Sequence, residues 1–303
     1  MPSFAERLED GWERAASNLP LALVPFVVSL LQFDDIATVA AFDGVRLGVR
    51  FGLPGPVVGL WQFVNVPVRG ATADTGLPVG VGPGSEVGAA LGLLGVVLVV
   101  TPLYAAVTAA LAAGYLGSVR TVLATGRYEF VEGVRRHFVP LFLYALAVLA
   151  LQLALLVPAL FLLGAGGFGA GYLLVVLAVP VFFALAYLFY AAPFLVVLRG
   201  AGLLDALRGS YELATDGGPY LRFAVGYCVL VVALSIVATP VVVGLGVAGV
   251  LFGAVATAPV SLTLAFTTVR FLADVDPQSP TFGVEPGSGP RLEDGFEGTD
   301  TAD

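Results

Sequence analysis

Residue types that carry out most enzyme and metal chemistry are scarce in this sequence. Its 303 residues include one histidine, His137, one cysteine, Cys228, and no lysine. A zinc protease needs paired histidines, a disulfide needs two cysteines, and a P-loop or a Schiff base needs a lysine. The sequence therefore predicts no catalytic residue, no metal site, no cofactor and no enzyme activity.

Two short charged motifs are the best candidates for a role in function. Val131–Phe138 and Leu204–Tyr211 both read apolar, acid, small, apolar, arginine, two variable positions, aromatic. On a helix, an acid and an arginine three residues apart are close enough to pair. The predicted pairs are Glu132 with Arg135 and Asp205 with Arg208. The pattern fits a tandem duplication of a two-helix unit, and it equally fits coincidence between two amphipathic helices on a membrane surface.

Two glycine patterns match the G-x-G-x-x-G fingerprint of dinucleotide-binding proteins. They are Gly164, Gly166 and Gly169, and Gly244, Gly246 and Gly249. That fingerprint needs a preceding strand and an acidic residue about 20 positions later, and both matches lie instead between apolar stretches without such an acid. We interpret them as tight turns between helices.

Composition places the chain in a membrane. It is 58% hydrophobic with a mean hydropathy of +0.95, and 12% of its residues are charged, against about a quarter in soluble domains. The net charge of -8 and the small basic patches argue against nucleic acid as a partner. Abundant acids without lysine are typical of salt-loving archaea, although codon bias in a GC-rich genome gives the same pattern.

Three long stretches carry no charged residue: 87–119, 138–198 and 223–269. One membrane crossing takes about 20 residues, so the first stretch predicts one span and the others two each, with turns at their glycine-rich centres. An apolar segment at 19–34 adds a first span. We therefore predict an all-α, polytopic membrane helical bundle of about six transmembrane helices. The spans lie near 19–34, 88–116, 139–163, 172–197, 223–244 and 249–270, within a transmembrane domain of 19–270.

The arginines predict the orientation of this bundle. Cytoplasmic loops carry an excess of arginine and lysine, and the arginines near the spans collect in 1–18, in the 2–3 and 4–5 connections, and at Arg270. Both termini are therefore expected in the cytoplasm and the protein in the cell membrane. Arg46, Arg50 and Arg69 in the first loop are the exceptions.

The segments outside the spans have distinct compositions. Residues 1–18 form a charged cytoplasmic segment, and 35–86 is a long extracellular loop. Within that loop, 45–51 alternates like a strand. Residues 57–66 could pair with it as a small β-hairpin or form a short interfacial helix that uses Trp61. Residues 271–303 are polar and acidic, which predicts a disordered cytoplasmic tail.

The interiors of the predicted spans contain no Asp, Glu, His or Arg. Charged groups inside a membrane are costly and usually functional, so their absence argues against a proton relay or a carboxylate-based carrier. Gln152 is the candidate intramembrane polar residue. A larger set of Ser, Thr and Pro residues fits either interhelical hydrogen bonds and kinks or the lining of a binding cavity.

One stretch resembles a known pattern. Ala192-Pro193-Phe194, followed by the run 202–213 (Gly-Leu-Leu-Asp-Ala-Leu-Arg-Gly-Ser-Tyr-Glu-Leu), resembles multi-pass prokaryotic membrane families. These include the membrane domain attached to some glycerophosphoryl diester phosphodiesterases and uncharacterised haloarchaeal relatives. The resemblance covers the second to sixth spans, about two thirds of the chain. It implies a helical membrane module without the soluble catalytic domain.

Three hypotheses for function remain. The first is a non-enzymatic membrane module, which acts as a scaffold, an assembly factor or a lipid-organising protein. The alternative is a small transporter or channel for a neutral or hydrophobic solute, suggested by the kinked spans. The third is an enzyme acting on lipid head groups through Asp205, Arg208 and Glu212. The expected partners are the lipid bilayer and a membrane protein or a second copy of the chain.

Overall fold

A computed structural model of the chain describes residues 2–44, 46–67, 99–164 and 168–282. Most of these residues are helical, and none of them forms a β-strand. The α-helices are α1 (Phe4–Ser17), α2 (Leu23–Leu30), α3 (Phe33–Ala40), α4 (Thr101–Thr125), α5 (Phe130–Gly164), α6 (Phe168–Phe189), α7 (Ala192–Arg199), α8 (Leu203–Asp216), α9 (Gly218–Gly244) and α10 (Gly246–Val275). Leu19–Ala22 and Leu60–Gln62 are 3-10 helices.

The predicted membrane bundle is confirmed. Five helical stretches in the described ranges are long and apolar enough to cross a membrane, and the pair α2–α3, bent by 66°, makes a sixth if it counts as one broken span. They are α4, the first part of α5, α6 with α7, α9 and α10. Helices end at Gly164 and Gly244, where the glycine-rich centres predict turns.

Helix α1 ties the start of the bundle to its last helix. Ser3 and Glu6 form a capping box at its first turn, and its buried face packs along the final turns of α10. A Cβ on Gly11 would lie 2.3 Å from Thr267 Oγ1, so glycine permits this close approach. Residues 4–17 and the end of α10 therefore lie at the same end of the bundle.

Helices α4 and α5 cross at an unusually small distance because glycines face each other. A Cβ on Gly117 would lie 2.7 Å from Gly133 Cα, and one on Gly133 would lie 2.9 Å from the Ala113 carbonyl oxygen. Small residues at a crossing let helix backbones pack directly in a membrane.

The β-hairpin predicted for the first loop is wrong. Residues 46–50 are extended without a backbone ladder, and side chains take the place of a partner strand. The Arg50 N–H donates to Ser235 Oγ (2.9 Å), and the Asn65 N–H donates to Thr239 Oγ1 (3.0 Å), both on α9. Asn65 Nδ2 also donates to the Val49 carbonyl (2.9 Å). The alternating apolar residues Leu47, Val49 and Phe51 are exposed, so the alternation does not mark a strand with one buried face.

Residues 46–67, which we call the inserted segment, reach deep into the bundle. Cys228 Sγ donates to the Gly52 carbonyl (3.2 Å). Cys228 precedes the end of α9 at Gly244 by about 24 Å along the helix axis. Trp61 is buried rather than interfacial, and its Nε1–H donates to the Ser29 carbonyl (2.7 Å). The segment thus enters and leaves from the end of the bundle opposite α1.

A helix break lies between α6 and α7, where Pro193 stands at the start of α7. Three side-chain hydroxyls from three other helices satisfy the carbonyls at the end of α6. Ser210 donates to Leu188 (2.7 Å), Tyr220 to Tyr187 (3.2 Å) and Tyr144 to Phe189 (3.5 Å). Because unpaired backbone groups are costly in lipid, these hydroxyls stabilise the break.

The first part of the predicted disordered tail is ordered, so that prediction is wrong for 271–282. Helix α10 continues to Val275, and Asp276 and Ser279 are buried. Phe271 and Leu272 extend the apolar face of α10 and explain why the helix continues. Residues 283–303 lie outside the described ranges, as do Gly70–Ser85 of the loop and 88–98 of the second span.

The glycine crossing predicts a loss of stability on substitution. Gly117→Ala should lower the free energy of unfolding by about 1–3 kcal/mol through overpacking, although alanine favours a helix by about 1 kcal/mol. Thermal unfolding in detergent measures this. Gly244→Ala, with open space around its Cβ, is the control and should change stability by less than about 0.5 kcal/mol. A raised melting temperature for Gly117→Ala would contradict the crossing.

Cys228, the single cysteine of the chain, reports on the inserted segment. Ser235→Ala leaves the Arg50 N–H without its acceptor, a loss of about 1–3 kcal/mol, so maleimide should label Cys228 about tenfold faster. Ser261→Ala is the matched control because its buried hydroxyl donates within its own helix. Equal labelling rates in wild type and Ser235→Ala would show that the segment is not held there.

Candidate functional site at the arginine-rich end

Ten arginines lie at the end of the bundle where α1 packs against α10, and we call this the arginine-rich end. The helices that start or finish there bring them together. They are Arg7, Arg14, Arg120, Arg127, Arg135, Arg136, Arg199, Arg208, Arg222 and Arg270. Their clustering agrees with the grouping that the sequence predicts for cytoplasmic connections.

Arginines of α1 and α10 form ion pairs that join these two helices. Arg7 pairs with Asp274 at 2.5 Å, and Arg270 pairs with Asp10. Asp10 also accepts from Arg14 (3.2 Å). Burial acts to raise the pKa of Asp10, but the hydrogen bonds from Arg270 and Arg14 outweigh it and lower that pKa. These pairs fix α1 across the end of α10.

Arg199 forms the most buried ion pair among the described residues. Its Nη2 and Nε donate to both carboxylate oxygens of Asp276 (2.7 and 2.8 Å), whose side chain is 0% exposed. Ser279 donates to the same carboxylate. Gly209 makes room, since a Cβ there would lie 2.6 Å from the Arg199 guanidinium. The pair therefore joins α7, α8 and the turn after α10.

Hydrogen bonding also controls the protonation of this carboxylate. Burial acts to raise the pKa of Asp276, but the hydrogen bonds from Arg199 and Ser279 outweigh it, so the pKa lies below its usual value. The ionised form is therefore the one that the fold stabilises.

The side chains of six arginines form no ion pair or hydrogen bond within the ranges that the structure describes. They are Arg120, Arg127, Arg135, Arg136, Arg208 and Arg222. Four of them lie in residues 117–138, which comprise the end of α4, the turn and the start of α5 and which we call the α4–α5 connection. Arg208 lies in α8 and Arg222 near the start of α9. Their guanidinium groups therefore have no acceptor among the described residues.

The two predicted ion pairs are not formed in the described part of the chain. Glu132, Arg135, Asp205 and Arg208 are all exposed. Exposed pairs contribute little because water solvates both charges. The two motifs also differ in structure, because Val131–Phe138 opens the long helix α5 and Leu204–Tyr211 lies in the separate helix α8.

Gln152 lies on the exposed surface of α5, and its side chain makes no hydrogen bond to other described residues. Gln152 therefore makes no interhelical hydrogen bond in the described ranges, and its position inside the membrane stays a prediction. His137 is buried near the start of α5. No group of three or more His, Cys, Asp or Glu side chains suited to a metal occurs in the described ranges.

A groove of about 310 Å³ runs between the end of α6 and the outer face of α8. Phe189, Leu204, Leu207 and Tyr211 give it an apolar wall, and Arg208 and Glu212 supply its charges. Apolar walls beside charged groups suit a chain with a polar head. The groove includes two of the three residues of the head-group enzyme hypothesis, Arg208 and Glu212, but not Asp205.

Sequence reasoning missed the residues that hold this end together. Arg199 lies two residues after the fourth predicted span and Asp276 six residues after the sixth, and both spans are predicted to finish on the same side. That shared position could have suggested the pair. The ion pairs of Asp10 and Asp274 could not be predicted from the sequence, which indicated only that arginines lie on the same side of the membrane.

Comparison with known proteins gives no relative for this chain. No protein-family model matches it, and neither the curated proteins nor the solved structures contain a significant match. The resemblance to phosphodiesterase-linked membrane domains therefore stays a prediction. The structure does give its motif residues local roles: Pro193 starts α7, Gly209 accommodates Arg199, and Ser210 stabilises the helix break.

The buried ion pair predicts a strong effect of one carboxylate. Asp276→Asn should lower the free energy of unfolding at neutral pH by about 3 kcal/mol, because Arg199 keeps its charge in a buried site. Chemical denaturation in detergent measures it. Asp205→Asn, at an exposed residue without an ion pair, is the control and should stay within about 0.5 kcal/mol. Equal effects would contradict the role of the pair.

Lowered pKa values of Asp10 and Asp276 predict acid sensitivity. A carboxyl whose folded-state pKa is lowered stabilises the fold above its unfolded pKa of about 4 and loses that contribution as pH falls through the folded value. Melting temperatures should thus be steady near neutral pH and fall below about pH 4. Asp276→Asn should show a smaller fall, and an unchanged acid slope would exclude Asp276 as a contributor.

Proposed function

We propose that this chain is a non-enzymatic membrane module that organises lipids at the arginine-rich end. Guanidinium groups without a partner among the described residues, placed beside apolar surface at one end of the bundle, carry the proposal. The end is expected at the cytoplasmic surface of the cell membrane, in accordance with the positive-inside rule. The resemblance to membrane domains that accompany lipid-related enzymes agrees with this role.

Charge is unevenly distributed at this end, which supports a local role for the α4–α5 connection. Residues 117–138 contain four arginines and two glutamates, which gives a net charge of +2. Helix α1 has two arginines and four acids, a net charge of -2. Anionic head groups gain about 1 kcal/mol per nearby arginine, so they should collect at the α4–α5 connection rather than at α1.

The groove beside α8 supports the same proposal from its apolar side. Leu204 is 70% exposed and Tyr211 51% exposed, so α8 presents an apolar face outward at the level of its arginine. An amphipathic helix in this position lies in the boundary between head groups and acyl chains. Arg208 is then at the depth of lipid phosphates.

The transporter alternative finds less support in the contacts. Polar groups along α9, including Ser235, Thr239 and Cys228, form hydrogen bonds to the inserted segment. Groups used in this way stabilise a non-helical backbone. They are not free to bind a solute unless the segment moves.

Lipid composition around the protein tests the proposal. The protein is reconstituted in vesicles of equal parts phosphatidylglycerol and phosphatidylcholine, excised with its neighbouring lipids in polymer discs, and the lipids are quantified. We expect phosphatidylglycerol to be enriched by about twofold or more. A lipid ratio equal to that of the vesicles would contradict the proposal, and protein-free discs provide the baseline.

A further inference from the structure

One stripe of residues along α8 forms most of the groove between that helix and the end of α6. Five of the six lining residues belong to α8, at positions 204, 207, 208, 211 and 212. Spacings of three and four residues place side chains on one face of a helix. The opposite face, which includes Ala206, Ser210 and Leu213, is buried. The groove therefore lies on the outer side of α8.

Hydrogen bonds hold the two walls of the groove together. Ser210 donates to the Leu188 carbonyl (2.7 Å), and the Tyr187 hydroxyl donates to the Ala214 carbonyl (3.4 Å). Both bonds join α8 to residues that directly precede Phe189, the groove residue on α6. The groove is therefore formed before a ligand arrives, which lowers the cost of binding.

The groove contains one positive and one negative side chain that do not pair with each other. Arg208 and Glu212 are exposed, and neither forms an ion pair with any described residue. Because they are four residues apart on a helix, their Cβ atoms lie about 6 Å from each other. An arginine that precedes the acid is the less favourable order for an ion pair at this spacing. The groove thus presents a cation beside an anion, both without a partner among the described residues.

An apolar track continues from the groove along α6. Phe189, Leu185 and Phe182 follow one another at intervals of four and three residues, so they lie on one face of the helix over about 10 Å. Phe182 is 39% exposed, and Leu185 and Phe189 are half-buried. These residues belong to a stretch that is apolar enough to cross a membrane. A ligand of the groove therefore finds apolar surface for a tail as well as charges for a head group.

We propose that the groove binds one phospholipid whose zwitterionic head group ends in a primary ammonium, as in phosphatidylethanolamine. The Arg208 guanidinium donates parallel hydrogen bonds to the phosphate oxygens, and the Glu212 carboxylate accepts hydrogen bonds from the ammonium. A short ethylene link separates the two charged groups of this lipid, which suits two side chains about one helical turn apart. An acyl chain lies on the apolar track of α6.

Glu212 gives the groove its selectivity among lipids. Its carboxylate repels a head group that carries only negative charge, such as that of phosphatidylglycerol, and the trimethylammonium of phosphatidylcholine offers it no N–H donor. Anionic lipids are instead expected at the α4–α5 connection, where the net charge is positive. The inference rests on the proposed function for the position of α8 at the membrane surface, and on Arg208 and Glu212 for its chemistry.

Native mass spectrometry of the detergent-solubilised full chain tests the site with phosphatidylethanolamine, phosphatidylcholine and phosphatidylglycerol as probes. Glu212→Gln removes the anionic acceptor for the ammonium and should weaken phosphatidylethanolamine binding about fivefold, without weakening the binding of the other two lipids. Glu132→Gln, at an exposed glutamate outside the groove, is the matched control and should stay within about twofold. Equal effects of the two variants on phosphatidylethanolamine, or an equal loss of all three lipids in Glu212→Gln, would overturn the proposal.

The phosphate end of the site is tested in the same assay. Arg208→Gln removes the phosphate donors and should weaken phosphatidylethanolamine binding about tenfold. Arg222→Gln changes another exposed arginine, which does not line the groove, and should weaken binding less than about threefold. Similar losses in the two arginine variants would contradict a phosphate contact at Arg208. Cys228 labelling at the wild-type rate shows that a variant is folded.

A soluble probe tests the apolar track. Glycerophosphoethanolamine has the same head group without acyl chains, so it should bind at least about tenfold more weakly than the lipid, because buried CH₂ groups contribute to lipid binding. Equal affinity of the soluble head group would exclude a lipid as the specific ligand.

The groove site and the proposed function fail separately. If phosphatidylethanolamine binding depends on Arg208 and Glu212 but excised discs show no phosphatidylglycerol enrichment, the groove site stands and the lipid-organising function fails. Phosphatidylglycerol enrichment without a Glu212-dependent binding of phosphatidylethanolamine would reject the groove site alone.

Discussion

Backbone polar groups without water are the constraint on which the rest of this structure depends. In a hydrocarbon environment each N–H and C=O group needs a partner inside the protein, and a continuous helix provides it. This chain departs from continuous helix at the break before Ala192 and at the inserted segment. Side chains satisfy the backbone at both places: hydroxyls such as that of Ser210 at the break, and Ser235 and Thr239 along the segment. The polar residues of the spans are therefore explained largely by the irregular backbone that they stabilise.

The arginines at the arginine-rich end fall into two groups, those with a carboxylate partner and those without one. Arginines with a carboxylate partner join α1, α7, α8 and the turn after α10, and they fix the end of the bundle. Of the six arginines without one among the described residues, four lie in the α4–α5 connection, where the net charge is positive. Ion pairing and the proposed lipid recognition thus use the same residue type at the same end, and the presence of a carboxylate partner separates the two uses. This division is the physical basis of the proposal that the protein organises lipids.

Much of the fold could be predicted because it depends on length and hydropathy. The uncharged stretch 223–269 is too long for one span, so a turn near Gly244 was required, and the structure has it. The inserted segment could not be predicted, because the alternation of 45–51 is typical of a strand. In the structure Leu47, Val49 and Phe51 are exposed and the Arg50 N–H donates to Ser235 instead of to a partner strand. The pair between Arg199 and Asp276 depends on how α7 and α10 approach each other, which spacing along the chain does not encode. Glu132 with Arg135 and Asp205 with Arg208, by contrast, have a spacing suitable for ion pairs. Because these side chains are exposed, water solvates both charges and little free energy is gained by pairing them.

The central claim is that the bundle crosses the membrane with its arginine-rich end in the cytoplasm. It is tested most directly by single-cysteine labelling in a Cys228→Ser background, with Arg127→Cys at that end and Asp43→Cys beyond α3 at the other. The account predicts that an impermeant maleimide labels Asp43→Cys on intact cells and labels Arg127→Cys only after the membrane is opened. Labelling of Arg127→Cys on intact cells would contradict it.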